Sequence, residues 1–388
     1  MGRRFVCLLG FAAALCLACA ANSPATTAPT ATPSIRASVP VLPNPTATPT
    51  SRFPLLTPTP RASATSTVLV PTAAWTTRAV TVYDKASDDR AAQAHLGANF
   101  PLTLTSRSAL VDGRKFLEAS WQTPSRHATG WLPASSVTAT QPDAGAQASF
   151  DALDPTLATY LQSRGTTIGV DVFDETRGVT YTYNSDLSFF CASSVKVAIM
   201  LTFFTQLEAQ GREPSATESR LLRTMIENSN NTSAETLYER IGAQDGIKAF
   251  MHGIGLSGLV PNRPNWWGHS TITAATMVAL LTMLHQGKVL TEAHREIALG
   301  YMEHVDAAGQ PGVGDSSPAG ALVAMKDGWT SALDGTGTYV VNTSGIVTLG
   351  AETYIISVYT DHDNSYGVGK AIIRHVAKVV GQDLMPAT

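Results

Sequence analysis

Ser193 and Lys196 stand three residues apart at the head of a run, Val195 to Leu207, that is apolar on nearly every side. A helix of that composition is a buried one. Its first turn leaves backbone N–H groups unpaired and carries the positive end of the helix dipole, so a serine placed there offers its own N–H to a developing oxyanion. The lysine one turn on shares its face. Lys196 can take the serine's proton only if its pKa falls from about 10.4 toward neutrality, and burial in apolar surroundings pushes an ammonium in that direction. With eight lysines in the chain, one such Ser-x-x-Lys pair carries little weight by itself.

Two companions add to it. Ser229-Asn230-Asn231 is the only Ser-x-Asn in the sequence, and Lys326-Asp327-Gly328 is the only Lys-x-Gly, at the end of a strand-like run. In this order the three motifs resemble the Ser-x-x-Lys, Ser-Asp-Asn and Lys-Thr-Gly of penicillin-binding proteins and class A β-lactamases. The flanks are similar too: Ser229 to Leu237 looks like that family's helix opening, and Ser270 to Met277 like its later helix start. The resemblance covers about residues 150–388. It implies that Ser193 is acylated, Lys196 accepts its proton and Ser229 relays that proton to the leaving group. Asn231 would hold the substrate amide, Lys326 would supply positive charge beside Asp327 and Gly328, and the N–H of Trp329 would join that of Ser193 in an oxyanion hole.

The elements that must position these residues are legible as a mixed layer. Ile168, Val170 and Val172 alternate, a turn follows at Asp174 to Gly178, and Val179, Tyr181 and Tyr183 alternate again, which predicts a hairpin. Three more strands are expected near Leu322–Lys326, Gly337–Val341 and Tyr354–Tyr359, and a terminal helix from the spacing of Ile372, Ile373, Val376, Val379 and Val380. Two strands, then helices, then three strands and a helix describe an α+β fold. The resemblance makes it a β-lactamase/transpeptidase-like antiparallel sheet with helices.

Three departures from the family pattern stand beside the matches. The stretch between Gly253 and Ser270, where a class A enzyme carries its deacylating glutamate, contains neither Glu nor Asp. Trp266 and Trp267 lie there instead, either lining the site or packing. The short interval from Ser193 to Ser229 implies an open groove. Asp327 replaces a hydroxyl residue, and places a carboxylate where substrates of the family present their own.

Upstream, Arg3 and Arg4 precede an apolar run to Ala18 that is too short to span a bilayer and reads as an export signal, residues 1–18. Ala18-Cys19-Ala20 fits cleavage of a secreted protein, whereas Leu17-Ala18-Cys19 resembles the end of a bacterial lipobox, which implies lipidation of Cys19. Residues 19–72 are dominated by Pro, Thr, Ala and Ser; half of the 22 prolines fall between Pro24 and Pro71. Such a segment cannot bury enough apolar area to order itself and is expected to be a spacer. Residues 73–141 show short alternating runs of a small all-β unit. Phe116 to Trp121 and Gly130 to Val137 resemble the closing strands of a bacterial SH3-like barrel, a family that often binds cell-wall peptides; the alternative is a plain spacer with Trp121 and Trp131 in its core. A polar link at Gln141 to Gln147 follows.

Composition narrows the partners. The 388 residues carry 27 basic and 30 acidic side chains, a net charge of -3, which argues against nucleic acid. Cys191 is the only cysteine after Cys19, so no disulfide forms within the folded region. The histidines show no ligand spacing, and neither a metal nor a cofactor is expected. The expectation is an exported monomeric serine hydrolase that forms an acyl-enzyme with β-lactams or D-alanyl-D-alanine-like peptides and deacylates slowly. The competing reading is a non-catalytic cell-wall-binding lipoprotein with a degenerate β-lactamase fold.

Overall fold

In a computed structural model the described residues are 72–385, apart from 88–89, 124–125, 142–144 and 333–334. The export signal, Cys19 and almost all of the Pro/Thr-rich spacer lie outside them. The N-terminal strands are β1 (Thr72–Thr76), β2 (Val80–Tyr83), β3 (Ala92–Leu96), β4 (Pro101–Val111), β5 (Arg114–Gln122), β6 (His127–Pro133) and β7 (Val137–Thr138). Next come β8 (Ala146–Ser149), α1 (Phe150–Leu153), α2 (Pro155–Gln162), β9 (Thr167–Asp174), β10 (Val179–Tyr183) and β11 (Ser188–Phe190). The helical half comprises α3 (Val195–Ala209), α4 (Ala216–Glu227), α5 (Asn231–Arg240), α6 (Ala243–Gly253), the short β12 (Thr271–Thr273), α7 (Ala274–His285), α8 (Glu292–Glu303) and α9 (Val313–Ser316). The chain closes with β13 (Leu322–Ser331), β14 (Tyr339–Leu349), β15 (Glu352–Asp363) and α10 (Tyr366–Leu384).

The hairpin β9–β10 forms where alternation predicts it, with Val179 paired to Asp174. The sheet runs β13-β14-β15-β9-β10, with antiparallel neighbours throughout, and β13 is its edge. Alternation along the strands divides two cores. Val170, Val172, Ile356 and Val358 pack with Ile373, Val376 and Val380 of α10, whereas Ile355 and Tyr359 face the cluster built around α3. Helix α3 is buried on every side from Val195 to Phe204, as its all-round apolar composition requires. The caps mark the helix starts. Ser215 and Glu218 close a reciprocal capping box on α4, and Asn230 accepts from the Ser233 N–H at 2.8 Å to start α5.

The expected polar link at Gln141–Gln147 ends in a strand. β8 pairs parallel to β10 and meets β3 at Leu96–Ala148, so the N-terminal strands continue the same sheet. Ala146 and Ala148 are buried, and two buried alanines in a polar stretch are too weak an alternation to mark a strand from sequence. Trp121 and Trp131 are both core residues; the Trp121 indole N–H donates to the carbonyl of Ala152 in α1 at 3.2 Å. The described residues accordingly belong to one compact unit. Among the described residues no helix is long and apolar enough to cross a membrane.

Candidate active site

Chain geometry at the head of α3 is set by Ala192, held at φ +47°, a left-handed conformation unusual for a residue with a Cβ. Ser193 follows inside a 3₁₀ turn, Ala192–Ser194, just ahead of α3 rather than within its first turn as the sequence suggested. The turn is pinned from three sides. Cys191 N–H donates to the Ser270 carbonyl at 2.8 Å, and the Cys191 carbonyl accepts from Asn342 Nδ2 at 2.9 Å and from Ser194 Oγ at 2.7 Å. Ser194 Oγ also lies 2.9 Å from the Tyr359 hydroxyl. Strand β13 runs directly alongside. A Cβ on Gly328 would stand 2.7 Å from Ser193 N and 2.9 Å from the Cys191 carbonyl, so only glycine fits there. That close approach brings Trp329, the next residue of the edge strand, beside the Ser193 N–H.

Lys196 is fully buried, and its Nζ is the hub of the site. It lies 3.1 Å from Ser193 Oγ, 3.0 Å from Ser229 Oγ, 2.6 Å from the Ser229 carbonyl oxygen and 2.8 Å from Asn231 Oδ1. Ser229 is held at φ +52° in the turn between α4 and α5, and that turn presents both of its oxygens to the lysine. Such backbone strain costs about 1–3 kcal/mol and concentrates at functional sites. Burial lowers the Lys196 pKa to about 7, with the Lys326 ammonium adding to the shift and Asp327 opposing it. A neutral amine has two N–H donors, which match the Ser229 carbonyl and Asn231 Oδ1. Its lone pair is then free to accept from the Ser193 hydroxyl.

Trp267 supplies much of the cover. Its ring centroid is 5.1 Å from Lys196 Nζ, and its indole N–H donates to Glu235 Oε2 at 2.7 Å. Glu235 also accepts from the Asn265 N–H at 3.0 Å, so α5 anchors the loop that stands where the family's glutamate would be. Trp266, by contrast, stays partly exposed against Arg263 and His269. The sequence leaves Trp267 open between lining and packing; it packs in the core over Lys196 and is not among the residues that border the cleft. Sequence reasoning did not find Glu235, Asn342, Ser194 or Tyr359 as supports. The run Asn342-Thr343-Ser344, polar between the apolar residues 340–341 and 346–347, was the available signal.

Lys326 and Asp327 come together as well, Nζ to Oδ1 at 3.1 Å with Lys326 wholly buried. Asp327 thus pairs with Lys326, and it still borders the cleft. That cleft, about 370 Å³, is lined by Ser193, Ser229, Asn231, Asp327, Gly328 and Trp329 together with Glu227, Asn228, Val305, Asp306, Ala308 and Gly309. All the residues picked from the three motifs therefore converge on one place. A larger hollow, about 810 Å³ between α9, α10 and the end of β14, contains none of them. Among the described residues no cluster of three or more His, Cys, Asp or Glu could hold a metal ion.

Known structures share this architecture. TLA-1 extended-spectrum β-lactamase aligns with a TM-score of 0.56 at 19% identity, over 60% of this chain and 98% of its own. The fold is that of the class A β-lactamases. A β-lactamase from Chitinophaga pinensis gives 0.55 at 19% identity over 60% and 98% of the two chains. The penicillin-binding protein PBP-A gives 0.53 at 20% identity over 60% and 96%. The model of the β-lactamase enzyme family matches residues 213–384, a stretch that holds Ser229, Asn231 and Lys326 but begins after Ser193 and Lys196. Fold and family match together support the superfamily read from the motifs. No curated protein sequence matches the chain.

Proposed function

We propose that the domain is a serine acyl-transfer enzyme in which Ser193 attacks the carbonyl of an activated amide or ester, such as a β-lactam or a D-alanyl-D-alanine-like peptide. The Ser193 Oγ–carbon bond forms as the proton passes to Lys196. Collapse of the tetrahedral intermediate breaks the bond to the leaving group, which takes a proton from Lys196 through Ser229 Oγ. The N–H groups of Ser193 and Trp329 stabilise the oxyanion, and Asn231 holds the donor's amide. The observation that carries this reading is the Lys196 amine, within hydrogen-bond reach of both serine hydroxyls and close to half neutral at pH 7. Deacylation is slow, because Glu235 is occupied in holding its loop and the stretch between Gly253 and Ser270 has no carboxylate.

The test is mass spectrometry of the intact protein after incubation with a fluorescent penicillin and with an uncharged thioester. A single adduct that maps to Ser193 and vanishes in Ser193→Ala supports the reading. No adduct from either donor would favour the second reading, a wall-binding protein that has lost catalysis, to which the Lys326–Asp327 pair lends support. Export, lipidation at Cys19 and wall recognition by an SH3-like N-terminal unit complete the proposal. They would hold the catalytic domain on a tether at the outer face of the membrane, within reach of peptidoglycan. Metabolic labelling with a fatty-acid analogue, compared with Cys19→Ser, tests the anchor.

A further inference from the structure

The walls of the cleft carry a charge pattern that the acylation chemistry does not need. Three carboxylates line it, Glu227 at the end of α4, Asp306 after α8 and Asp327 on β13, and no Arg or Lys is among its lining residues. The two nearby ammonium groups lie beneath the surface with no exposure. Lys326 is engaged by Asp327 at 3.1 Å, so its charge is compensated before any substrate arrives. Asp306 is held in place: its Oδ2 accepts from Asn228 Nδ2 at 2.7 Å and its N–H donates to the Glu227 carbonyl at 2.9 Å. The turn that follows it abuts Asp327, since a Cβ on Gly309 would lie 3.5 Å from Asp327 Oδ1. Two acidic side chains on separate elements thus face one short stretch of cleft beside Ser193.

An independent feature borders the same space. Trp329 lines the cleft with 55% of its surface exposed, and its ring is braced by Tyr366 at 5.1 Å between centroids. An indole fixed by a neighbour and open on its other side offers a π face, which attracts ammonium and guanidinium groups and gives a carboxylate nothing. Carboxylates and an exposed aromatic face together form a cation subsite.

We propose that this site selects an acyl donor carrying a positively charged group, an ammonium or guanidinium, seated between Asp306, Asp327 and the ring of Trp329, and discriminates against donors with a free carboxylate there. The proposal rests on the acyl-enzyme reading of Ser193 and names its substrate class. A cationic donor gains attraction from Glu227 and Asp306 during approach as well as in the bound state, whereas a carboxylate meets their like charge and finds the Lys326 ammonium already compensated by Asp327.

Three thioester donors identical except for a terminal ammonium, carboxamide or carboxylate decide it, with Ser193 acylation followed by single-turnover mass spectrometry. The ammonium donor is expected to react at least about tenfold faster than the carboxamide and about a hundredfold faster than the carboxylate. Raising the salt from about 0.05 to 0.5 M should narrow both ratios. Asp306→Asn and Asp327→Asn should each reduce the ammonium-to-carboxylate ratio by about tenfold. A carboxylate donor that acylates Ser193 as fast as the ammonium donor overturns the proposal, as do ratios that neither variant changes. If no donor acylates Ser193, the acyl-enzyme reading fails, and charge preference is then read from calorimetric binding of unreactive amide analogues to Ser193→Ala. Equal or tighter binding of the carboxylate analogue there overturns the inference by itself.

Discussion

The cover that Trp267 places over Lys196 should set the pH at which Ser193 becomes reactive. An ordinary lysine is neutral in about one molecule in 3,000 at pH 7, whereas a pKa near 7 makes about half neutral, a gain of roughly 1,500-fold in competent base. The weaker base returns part of that gain. With a Brønsted slope of about one half, the loss is some fiftyfold, and a net advantage of about thirtyfold remains at neutral pH. The acylation rate should therefore rise with unit slope to a bend near pH 7 and then level off. Trp267 acts on this bend in two opposed ways. Its bulk excludes water and disfavours the ammonium, while its π face, 5.1 Å from Nζ, favours it by about 0.5–2 kcal/mol. Because the pKa is lowered overall, exclusion of water dominates.

Trp267→Ala, which admits water, is expected to move the bend upward by one to two units. With the same Brønsted slope, acylation at pH 7 then falls about two- to fivefold, and by about pH 10 it reaches or exceeds the wild-type plateau. Trp267→Leu keeps the apolar cover without the ring and should leave the bend at or below 7. Single-turnover labelling of Ser193 with an uncharged thioester between pH 5 and 10 measures both. A bend that stays put in Trp267→Ala while the plateau drops would mean that the ring only positions the lysine. A bend that moves down would mean that the π contact outweighs exclusion of water, and either result refutes the reasoning.

Further outcomes follow from the same geometry. The acyl adduct at Ser193 should persist for minutes or longer, since general-base activation of water is worth about 10² to 10⁴ in rate and the stretch between Gly253 and Ser270 contains no carboxylate; rapid nitrocefin turnover without a detectable adduct would contradict this. Asp327→Thr should free Lys326 and accelerate acylation by anionic β-lactams at least tenfold, about 1.4 kcal/mol, with a smaller effect on an uncharged ester; equal effects on both would show that Asp327 does not set the charge preference. Gly328→Ala should cut acylation steeply, because its methyl would displace the Ser193 N–H from 2.7 Å away; an unchanged rate would mean that β13 and the 3₁₀ turn shift apart without consequence. Folding keeps Lys196 neutral while the unfolded chain keeps it protonated between about pH 7 and 10.5, so the unfolded state binds more protons there and stability rises with pH across that window. The burial cost, at most about 5 kcal/mol, is fully present below pH 7, and wild type should gain on Lys196→Met as the pH is raised in chemical denaturation.

What the sequence made legible was whatever one element encodes locally. The all-round apolar run after Ser194 can only be a buried helix, the alternation at Ile168–Tyr183 can only be a hairpin, and three motifs of restricted composition mark the corners of one site. Residues whose role is to hold one element against another gave no such signal. Asn342 reaches the Cys191 carbonyl across 151 positions of sequence, and Tyr359 reaches Ser194 across 165. Each is one of several buried polar groups in its strand, and its purpose depends on which strand becomes the neighbour of the 3₁₀ turn. Burial of such groups is tolerable only when they are hydrogen-bonded. A buried Asn in the middle of β14 therefore implies a partner from another element, though the sequence does not say which. The same reasoning explains Asp327. Read as one letter in a Lys-x-Gly motif it could face inward or pair with its neighbour, and only the full burial of Lys326, which leaves that ammonium in need of a carboxylate, decides in favour of the pair. The pairing of Lys326 from within, with Glu227 and Asp306 lining the remaining cleft, is the charge pattern on which the proposed preference for cationic donors rests.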